Sequence, residues 1–274
     1  MTTHLLLAAL AVPAAMAGVV PAPLLPRAPS PPQALPQNAT ARDLMWQPSL
    51  DFDTDGCYNV PAIDAQGNVV QGLPNSFTGL ATDCRDASDL DNNNVYARQR
   101  CNNNWCAYLY GYYFEKDVAL PYVVDTGHRH DWEHIVVWTE VLDGGKNEVA
   151  RWVAVSQHGD YEIKKASDVR WDGSHPKIVY HKDGWLTHCF RFANSADDKI
   201  ENHKGVWFRG ALVSYNGFPS TAIRDRLTSH DFGKATIAFK DATFAGNLGR
   251  AMPKEIKNFN TGWDDPSMGS PGWP

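Results

Sequence analysis

The chain has 274 residues, of which 43% are hydrophobic, and its formal net charge is −6. This hydrophobic content is sufficient for a globular protein with one large domain or two small ones. Because nucleic acid and anionic lipid both attract clustered Lys and Arg, the acidic balance excludes nucleic acid as an expected partner and argues against a general affinity for anionic lipid.

The N-terminal segment is typical of a secretory signal peptide. An apolar run over residues 5–17 ends in the tripeptide Ala-Met-Ala, the small-x-small pattern that signal peptidase accepts. A transmembrane anchor is the alternative, but the run is shorter than the roughly 20 apolar residues that span a bilayer, and Pro13 interrupts it. We therefore expect a signal peptide over residues 1–17, cleavage after Ala17 and a secreted, extracellular protein.

The segment that follows is rich in proline. Residues 18–44 favour extended backbone and predict a linker or pro-segment outside the folded domain. A sequon, Asn-Ala-Thr, predicts glycosylation at Asn38. We expect the folded domain over residues 45–263, and the turn-forming residues 264–274 predict a loose tail.

The folded part shows the alternation of β-strands more often than the periodicity of helices. Strands are predicted over residues 107–114, 134–141, 150–156, 177–180 and 187–192. The second of these carries bulky residues on both faces, so we expect it to be a central strand. Short or peripheral helices are predicted over residues 86–100, 219–227 and 240–251.

Five cysteines are present, and an oxidising destination favours their pairing. Sequence alone does not fix the connectivity. The tight polar loop between Cys101 and Cys106 favours a local disulfide, which leaves Cys57 to pair with Cys84. Cys189 is then unpaired, and a buried, unreactive thiol is favoured over a reactive one.

The densest polar cluster is Gly-His-Arg-His-Asp-Trp-Glu-His over residues 127–134. One interpretation is a zinc-protease pattern, in which His130 and His134 bind the metal and Asp131 stands where a Glu activates water. That pattern requires a helix, whereas the residues that follow are β-branched and alternate. A secreted metallohydrolase is therefore a weaker hypothesis.

A second interpretation places the same segment at the start of a β-strand. Asp131 and Glu133 then project from one face, and a divalent cation would relieve the repulsion between their carboxylates. His128 lies at an odd offset, so we expect Gly127 and His128 to form a turn that folds back over the site. Such a donor set suits Mg²⁺ or Ca²⁺. A surface loop of ion pairs, with Arg129 as counter-charge, fits the spacing equally well.

The heptapeptide Gly-His-Arg-His-Asp-Trp-Glu at 127–133 is identical to the signature of the necrosis- and ethylene-inducing, NPP1-like protein family. Further segments that resemble the fungal, four-cysteine branch occur in order. They are Asp-Gly-Cys-Tyr at 55–58, Cys-Arg-Asp at 84–86, Trp-Cys-Ala-Tyr-Leu-Tyr at 105–110 and Tyr-Phe-Glu-Lys-Asp at 113–117. The resemblance spans residues 45–263 and favours the metal site over the surface loop.

The resemblance implies a mainly β, single-domain β-sandwich with flanking helices, similar to actinoporins and fungal lectins. It also implies a non-enzymatic cytolysin, secreted by a microbe, that binds glycosylinositol phosphorylceramide sphingolipids and damages dicot plasma membranes. We expect the protein to be a monomer. A non-toxic, lectin-like or immunity-eliciting member is the alternative. The family's metal ligands correspond to Asp117, His128, Asp131 and Glu133, with Asp117 preceding an apolar loop.

Membrane contact calls for exposed aromatic side chains near the metal site. Trp185 and Trp171 each lie in a predicted turn, where packing against the sandwich is the alternative to lipid contact. His158 and His188 resemble family positions near the headgroup cleft, and for them the alternative is a structural hydrogen bond.

Overall fold

Two β-sheets face each other across a shared core. A computed structural model describes residues 30–75, 79–123, 126–145 and 147–274. The predicted signal peptide and the first part of the predicted linker lie outside these residues. No helix in the described ranges has the length and apolar character to cross a bilayer.

The larger sheet has six strands in the order β10-β2-β3-β4-β5-β6. All neighbours are antiparallel except β10 and β2, which run parallel. The strands are β2 (Asn94–Asn102), β3 (Trp105–Val118), β4 (Gly127–Leu142), β5 (Asn147–Gln157), β6 (Asp160–Lys165) and β10 (Ala211–Ser214).

The smaller sheet is organised around β8 (His175–Lys182). Strand β1 (Ser49–Phe52) pairs with β8 in parallel, while β7 (Trp171–Asp172) and β9 (His188–Phe192) pair with it antiparallel. The α-helices are α1 (Ala41–Trp46), α2 (Thr221–Ser229) and α3 (Asp241–Ala251).

Successive side chains of the long strands point to opposite faces of the larger sheet, so the core has two parts. On β3, Tyr110 and Phe114 face the smaller sheet, and Phe114 stacks on Tyr180 with the ring centroids 3.8 Å apart. Leu109 on the opposite face packs in the layer that contains α2 and α3. Strand β4 is buried on both faces because it lies between β3 and β5 and carries apolar side chains on each side. The predicted β-sandwich, and the central position of residues 134–141, are confirmed.

The five predicted strands and the helices at 219–227 and 240–251 correspond to elements of the structure. The helix predicted over 86–100 is wrong. A single 3-10 turn, Ala87–Leu90, precedes strand β2 instead. The polar residues that suggested an exposed helix are buried in the strand because the C-terminal segment provides their partners: Gln99 donates to the carbonyl of Gly269, and Arg100 pairs with Asp264.

Both predicted ends of the folded domain need correction. In the supposed linker, Leu35 is buried and the Asn38 backbone N–H donates to the Leu212 carbonyl, so the described residues 35–44 belong to the fold. In the supposed loose tail, Ser270 is buried and its hydroxyl donates to Asp264. Composition suggested mobility, but specific hydrogen bonds hold both segments.

The predicted disulfides, Cys57–Cys84 and Cys101–Cys106, are both present. Cys101 and Cys106 are direct partners across the hairpin of β2 and β3. Cys189 is free and buried. Its burial raises the pKa of the thiol, so the sulfur is protonated when no metal ion is bound.

Candidate metal centre

The candidate metal centre lies where β3 and β4 reach one end of the sandwich. Asp117 on β3 is the direct cross-strand partner of His128 on β4. Asp131 lies three residues further along β4. Donor atoms from Asp117, His128 and Asp131 all lie within 4.8 Å of one another. Three of the four predicted ligands are therefore together, with Asp117 among them.

The odd offset between His128 and Asp131 is resolved inside the strand. His130 has φ +63°, a left-handed conformation that interrupts the alternation of side chains. The predicted turn at Gly127 and His128 is wrong, because both residues pair with β3. Gly127 is needed for a different reason: a Cβ there would lie 2.1 Å from the Asp117 carbonyl oxygen, so glycine permits the close approach of the two strands.

Asp117 is held in place by the smaller sheet. Its carboxylate accepts the backbone N–H of His188 at 3.0 Å and the ring Nδ1–H at 2.9 Å. Burial disfavours the imidazolium, but the hydrogen bond to Asp117 and then that to Asp55 outweigh burial and raise the pKa of His188 to about 9. His188 is 2% exposed, so it positions Asp117 rather than contacting a headgroup or membrane. The structural hydrogen bond that was the alternative for this residue describes it.

His128 presents one ring nitrogen to the cluster. Its Nδ1 is 2.6 Å from the carbonyl oxygen of His130. A carbonyl only accepts, so Nδ1 carries the proton and Nε2 is left with its lone pair for a metal ion. The hydrogen bond thus selects the tautomer that a ligating histidine requires.

Burial and neighbouring negative charge disfavour the ionised forms of Asp131 and Glu133. Burial, and then the charge of Asp117, raise the pKa of Asp131 to about 7. Burial, and then the charge of Asp131, raise the pKa of Glu133 well above its usual range, although the Ser156 hydroxyl donates to it. A divalent cation would relieve this repulsion, and two carboxylates with one imidazole fit a hard cation. Glu133 shares this buried strand face but lies outside the three-residue cluster.

The zinc-protease interpretation is not supported by the local structure. His130 and His134 both lie in β4, not on a helix. His130 Nδ1 is 2.6 Å from the Tyr113 hydroxyl, and His134 Nε2 makes a close hydrogen bond with Tyr161. Burial is the main cause that lowers the pKa of His130 to about 4 and that of His134 to about 3. Both imidazoles are therefore neutral and are hydrogen-bonded to tyrosine hydroxyls.

The candidate metal ligands lie beside a cleft of about 800 Å³. Asp117, His128, Asp131 and Glu133 line one side, and the far side comes from β6, residues 234–236 and α3. Sequence reasoning missed the far wall, because its residues are distant along the chain and carry no motif. The functional groups there include Tyr161, Lys234, Asn247 and Arg250.

Residues 40–251 match the family model described as Necrosis inducing protein (NPP1). The chain belongs to this family. A curated relative, NLP effector protein 10 of Phytophthora capsici, is 30% identical over 207 residues, which are 75% of this chain and 80% of the relative. Necrosis-inducing protein NPP1 of Phytophthora nicotianae is 29% identical over 201 residues, covering 72% of this chain and 77% of the relative.

Solved structures of NPP1-type proteins share the fold. NLPPya in complex with mannosamine is 31% identical, has a TM-score of 0.65, and aligns with 81% of this chain and 96% of its own. The non-toxic HaNLP3 protein is 25% identical, has a TM-score of 0.66, and aligns over 81% of this chain and 99% of its own. The NPP1 family has a toxin or effector fold and is not a recognised enzyme family.

The remaining predicted site residues of this NPP1-family chain differ in exposure. Trp185 is 83% exposed at the tip of the turn between β8 and β9, and His158 is exposed in the turn between β5 and β6. Trp171 is half-buried, and its indole N–H donates to the Ala166 carbonyl, so packing is the better description of its role. Asn38 is exposed, and its side-chain amide donates to the Gly217 carbonyl.

Proposed function

We propose that this NPP1-family protein is a secreted, cation-dependent cytolysin. It binds the sugar headgroups of glycosylinositol phosphorylceramides and permeabilises the plasma membrane of dicot cells without catalytic turnover. The observation that carries the proposal is the convergence of Asp117, His128 and Asp131 at one end of a cleft large enough for a sugar. Glycosylation at Asn38 and a monomeric state remain predictions.

A bound Mg²⁺ or Ca²⁺ would be held by the Asp117 and Asp131 carboxylates and His128 Nε2, with Glu133 on the same strand face. It would supply positive charge that sugar hydroxyl oxygens can approach. Without the ion, burial and mutual repulsion raise the pKa of Asp131 and Glu133, so protons compete with the cation for these carboxylates.

The far wall offers the groups that recognise polar ligands. Arg250 donates to the Gly159 carbonyl and to Asn247, which fixes its guanidinium at the edge of the cleft. Lys234 adds a second, exposed cation. Tyr161 provides ring surface, against which the apolar face of a sugar can pack. Structures of the related NLPPya with mannosamine and with glucosamine support a sugar as the ligand class.

Membrane attachment is assigned to Trp185. The indole is exposed near the cleft, and Thr187 in the same turn lines the cleft wall. Trp prefers the bilayer interface, so headgroup binding and indole insertion would act from the same end of the molecule.

A non-toxic, lectin-like or immunity-eliciting protein is the second candidate. Its support is the similarity to HaNLP3, a non-toxic protein of the same fold. Such a protein would use the same cleft for the headgroup and would bind the membrane without opening it.

Vesicles that contain plant glycosylinositol phosphorylceramide separate these candidates. The cytolysin should bind them and release an entrapped dye, while vesicles of phosphatidylcholine alone should stay intact. A lectin-like protein would bind without dye release. Asp198→Ala removes an exposed carboxylate that pairs with Arg170 and does not line the cleft, so it is the matched control for acidic substitutions and should retain full activity. Absence of binding to either vesicle would contradict both candidates.

A further inference from the structure

A second cluster of metal-binding side chains lies beside the turn that carries Trp185. His158 comes from the turn between β5 and β6, Asp183 follows β8, and Cys189 lies on β9. The Gln157 side chain donates to the Phe190 carbonyl at 3.1 Å, which fastens the end of β5 to β9. Tertiary structure thus brings together three residues that no sequence motif connects.

The geometry of the three side chains suits a single ion. One donor atom from each of His158, Asp183 and Cys189 lies within 4.8 Å of the other two. His158 Nε2 and Asp183 Oδ2 are 3.1 Å apart. The imidazole and the carboxylate are exposed while the cysteine is buried, so an ion can approach from solvent and meet the sulfur at the base of the site.

The donors differ in chemistry from those of the acidic centre. A thiolate, an imidazole and a carboxylate together are typical of zinc sites, whereas Mg²⁺ and Ca²⁺ prefer oxygen ligands. Cys189 is the only cysteine of the chain outside the two disulfides. Three protein ligands leave room for a water or an outside ligand in the fourth position of a tetrahedral site.

We propose that His158, Asp183 and Cys189 form a binding site for a zinc-like divalent cation, separate from the acidic centre. On binding, a metal–sulfur bond forms and the thiol S–H proton is released. The proton passes to solvent, as in other metal–thiolate sites. His181, the cross-strand partner of Cys189, has its Nε2 3.7 Å from the sulfur.

Such an ion would fix the turn that presents the exposed tryptophan. Within this turn, the Leu186 N–H donates to the Asp183 carbonyl at 2.8 Å and the Asp183 N–H donates to the Thr187 carbonyl at 3.3 Å. Asp183 therefore lies at the base of a closed turn, and Trp185 lies at the tip of that turn. Coordination of Asp183 would join this turn to His158 and hold Trp185 at a set position relative to the cleft.

Cobalt titration of the purified protein tests the proposal, because Co²⁺ occupies zinc sites and its bond to a thiolate produces a charge-transfer absorption in the near ultraviolet. We expect the wild-type protein to develop this absorption up to one equivalent, and Zn²⁺ to abolish it. Ions at the acidic centre cannot produce the signal, since that centre contains no sulfur.

Four variants complete the test. His158→Ala and Asp183→Asn change exposed side chains and should each weaken Co²⁺ binding about tenfold or more, by analogy with the loss of groups that support a metal site. Cys189→Ser should remove the absorption. His230→Ala, at an exposed histidine outside the cluster, should leave it unchanged. The proposal would be overturned by an absent absorption in the wild type, or by a Co²⁺ affinity of His158→Ala and Asp183→Asn equal to that of the wild type.

Discussion

The two walls of the cleft are built in different ways. The acidic wall comes from neighbouring positions on two paired strands, β3 and β4, and its groups are held by buried hydrogen bonds. The opposite wall comes from β6, residues 234–236 and α3, and its charged groups, Lys234 and Arg250, are exposed. A rigid wall suits the fixed geometry of a metal ion, while an exposed wall can vary with the ligand.

The largest expected effect is at the rigid wall. Asp131→Ala removes one carboxylate from the centre and exposes no apolar core, so we expect dye release to fall more than about 100-fold with little change in the melting temperature. Glu133→Ala should behave alike if Glu133 completes the ligand set. Dye release and thermal unfolding are measured on the same preparations. Unchanged release in both variants would contradict the proposal that activity depends on a bound cation.

A backbone substitution tests whether the rigid wall depends on strand approach. Gly127→Ala introduces a Cβ 2.1 Å from the Asp117 carbonyl oxygen, so we expect a loss of about 1–3 kcal/mol in the free energy of unfolding and weaker cation binding. Gly249→Ala on α3 is the matched control, because its Cβ would meet no neighbouring atom and alanine favours a helix. Chemical denaturation of both variants should show opposite signs. Equal stability of Gly127→Ala and the wild type would show that the strands can separate without cost.

A third substitution addresses the exposed wall. Arg250→Ala removes a guanidinium that contacts Gly159 and Asn247, and we expect headgroup affinity to fall about tenfold because a charged hydrogen bond is lost. Cation affinity should not change. Binding to vesicles and to free Mg²⁺ or Ca²⁺ gives the two values, and a parallel loss of both would mean that the walls are not separate.

The smallest expected effect is at the rim. Trp185→Ala should preserve cation binding and the melting temperature yet reduce dye release several-fold, because the loss is interfacial anchoring. Trp138→Ala is the contrasting variant: its side chain is fully buried, and its removal should cost about 3–5 kcal/mol. A lowered melting temperature in Trp185→Ala, with release lost only in proportion to unfolded protein, would reassign Trp185 to packing.

The same contrast explains how much could be predicted from sequence. The strands and the acidic wall could be predicted because alternation and a continuous heptapeptide place their residues at adjacent positions. The left-handed conformation of His130 could not, since histidine gives no signal for it, and the turn was assigned to Gly127 instead. Gly127 is needed because strand β3 passes very close to it. The residues around Gly127 do not reveal how closely the partner strand approaches.

Two further errors have the same physical origin. A short helix was predicted within the polar residues 86–100, and a loose tail was predicted over residues 264–274. Each segment provides the hydrogen-bond partners of the other, as in the pair of Arg100 with Asp264. Local composition reveals neither the buried strand nor the ordered C-terminal segment, because the hydrogen-bonding partners are more than 150 residues apart in the chain. The partner of His188 could not be predicted for a related reason: the carboxylate of Asp117 is on a strand of the other sheet.

Calorimetric titration of Mg²⁺ and Ca²⁺ into the wild-type protein and into Asp131→Ala tests the central claim most directly. The account predicts one hard-cation site in the wild type, no measurable binding in Asp131→Ala, and loss of headgroup binding when a chelator is added to the wild type. Equal cation binding by the two proteins, or headgroup binding that persists in chelator, would contradict it.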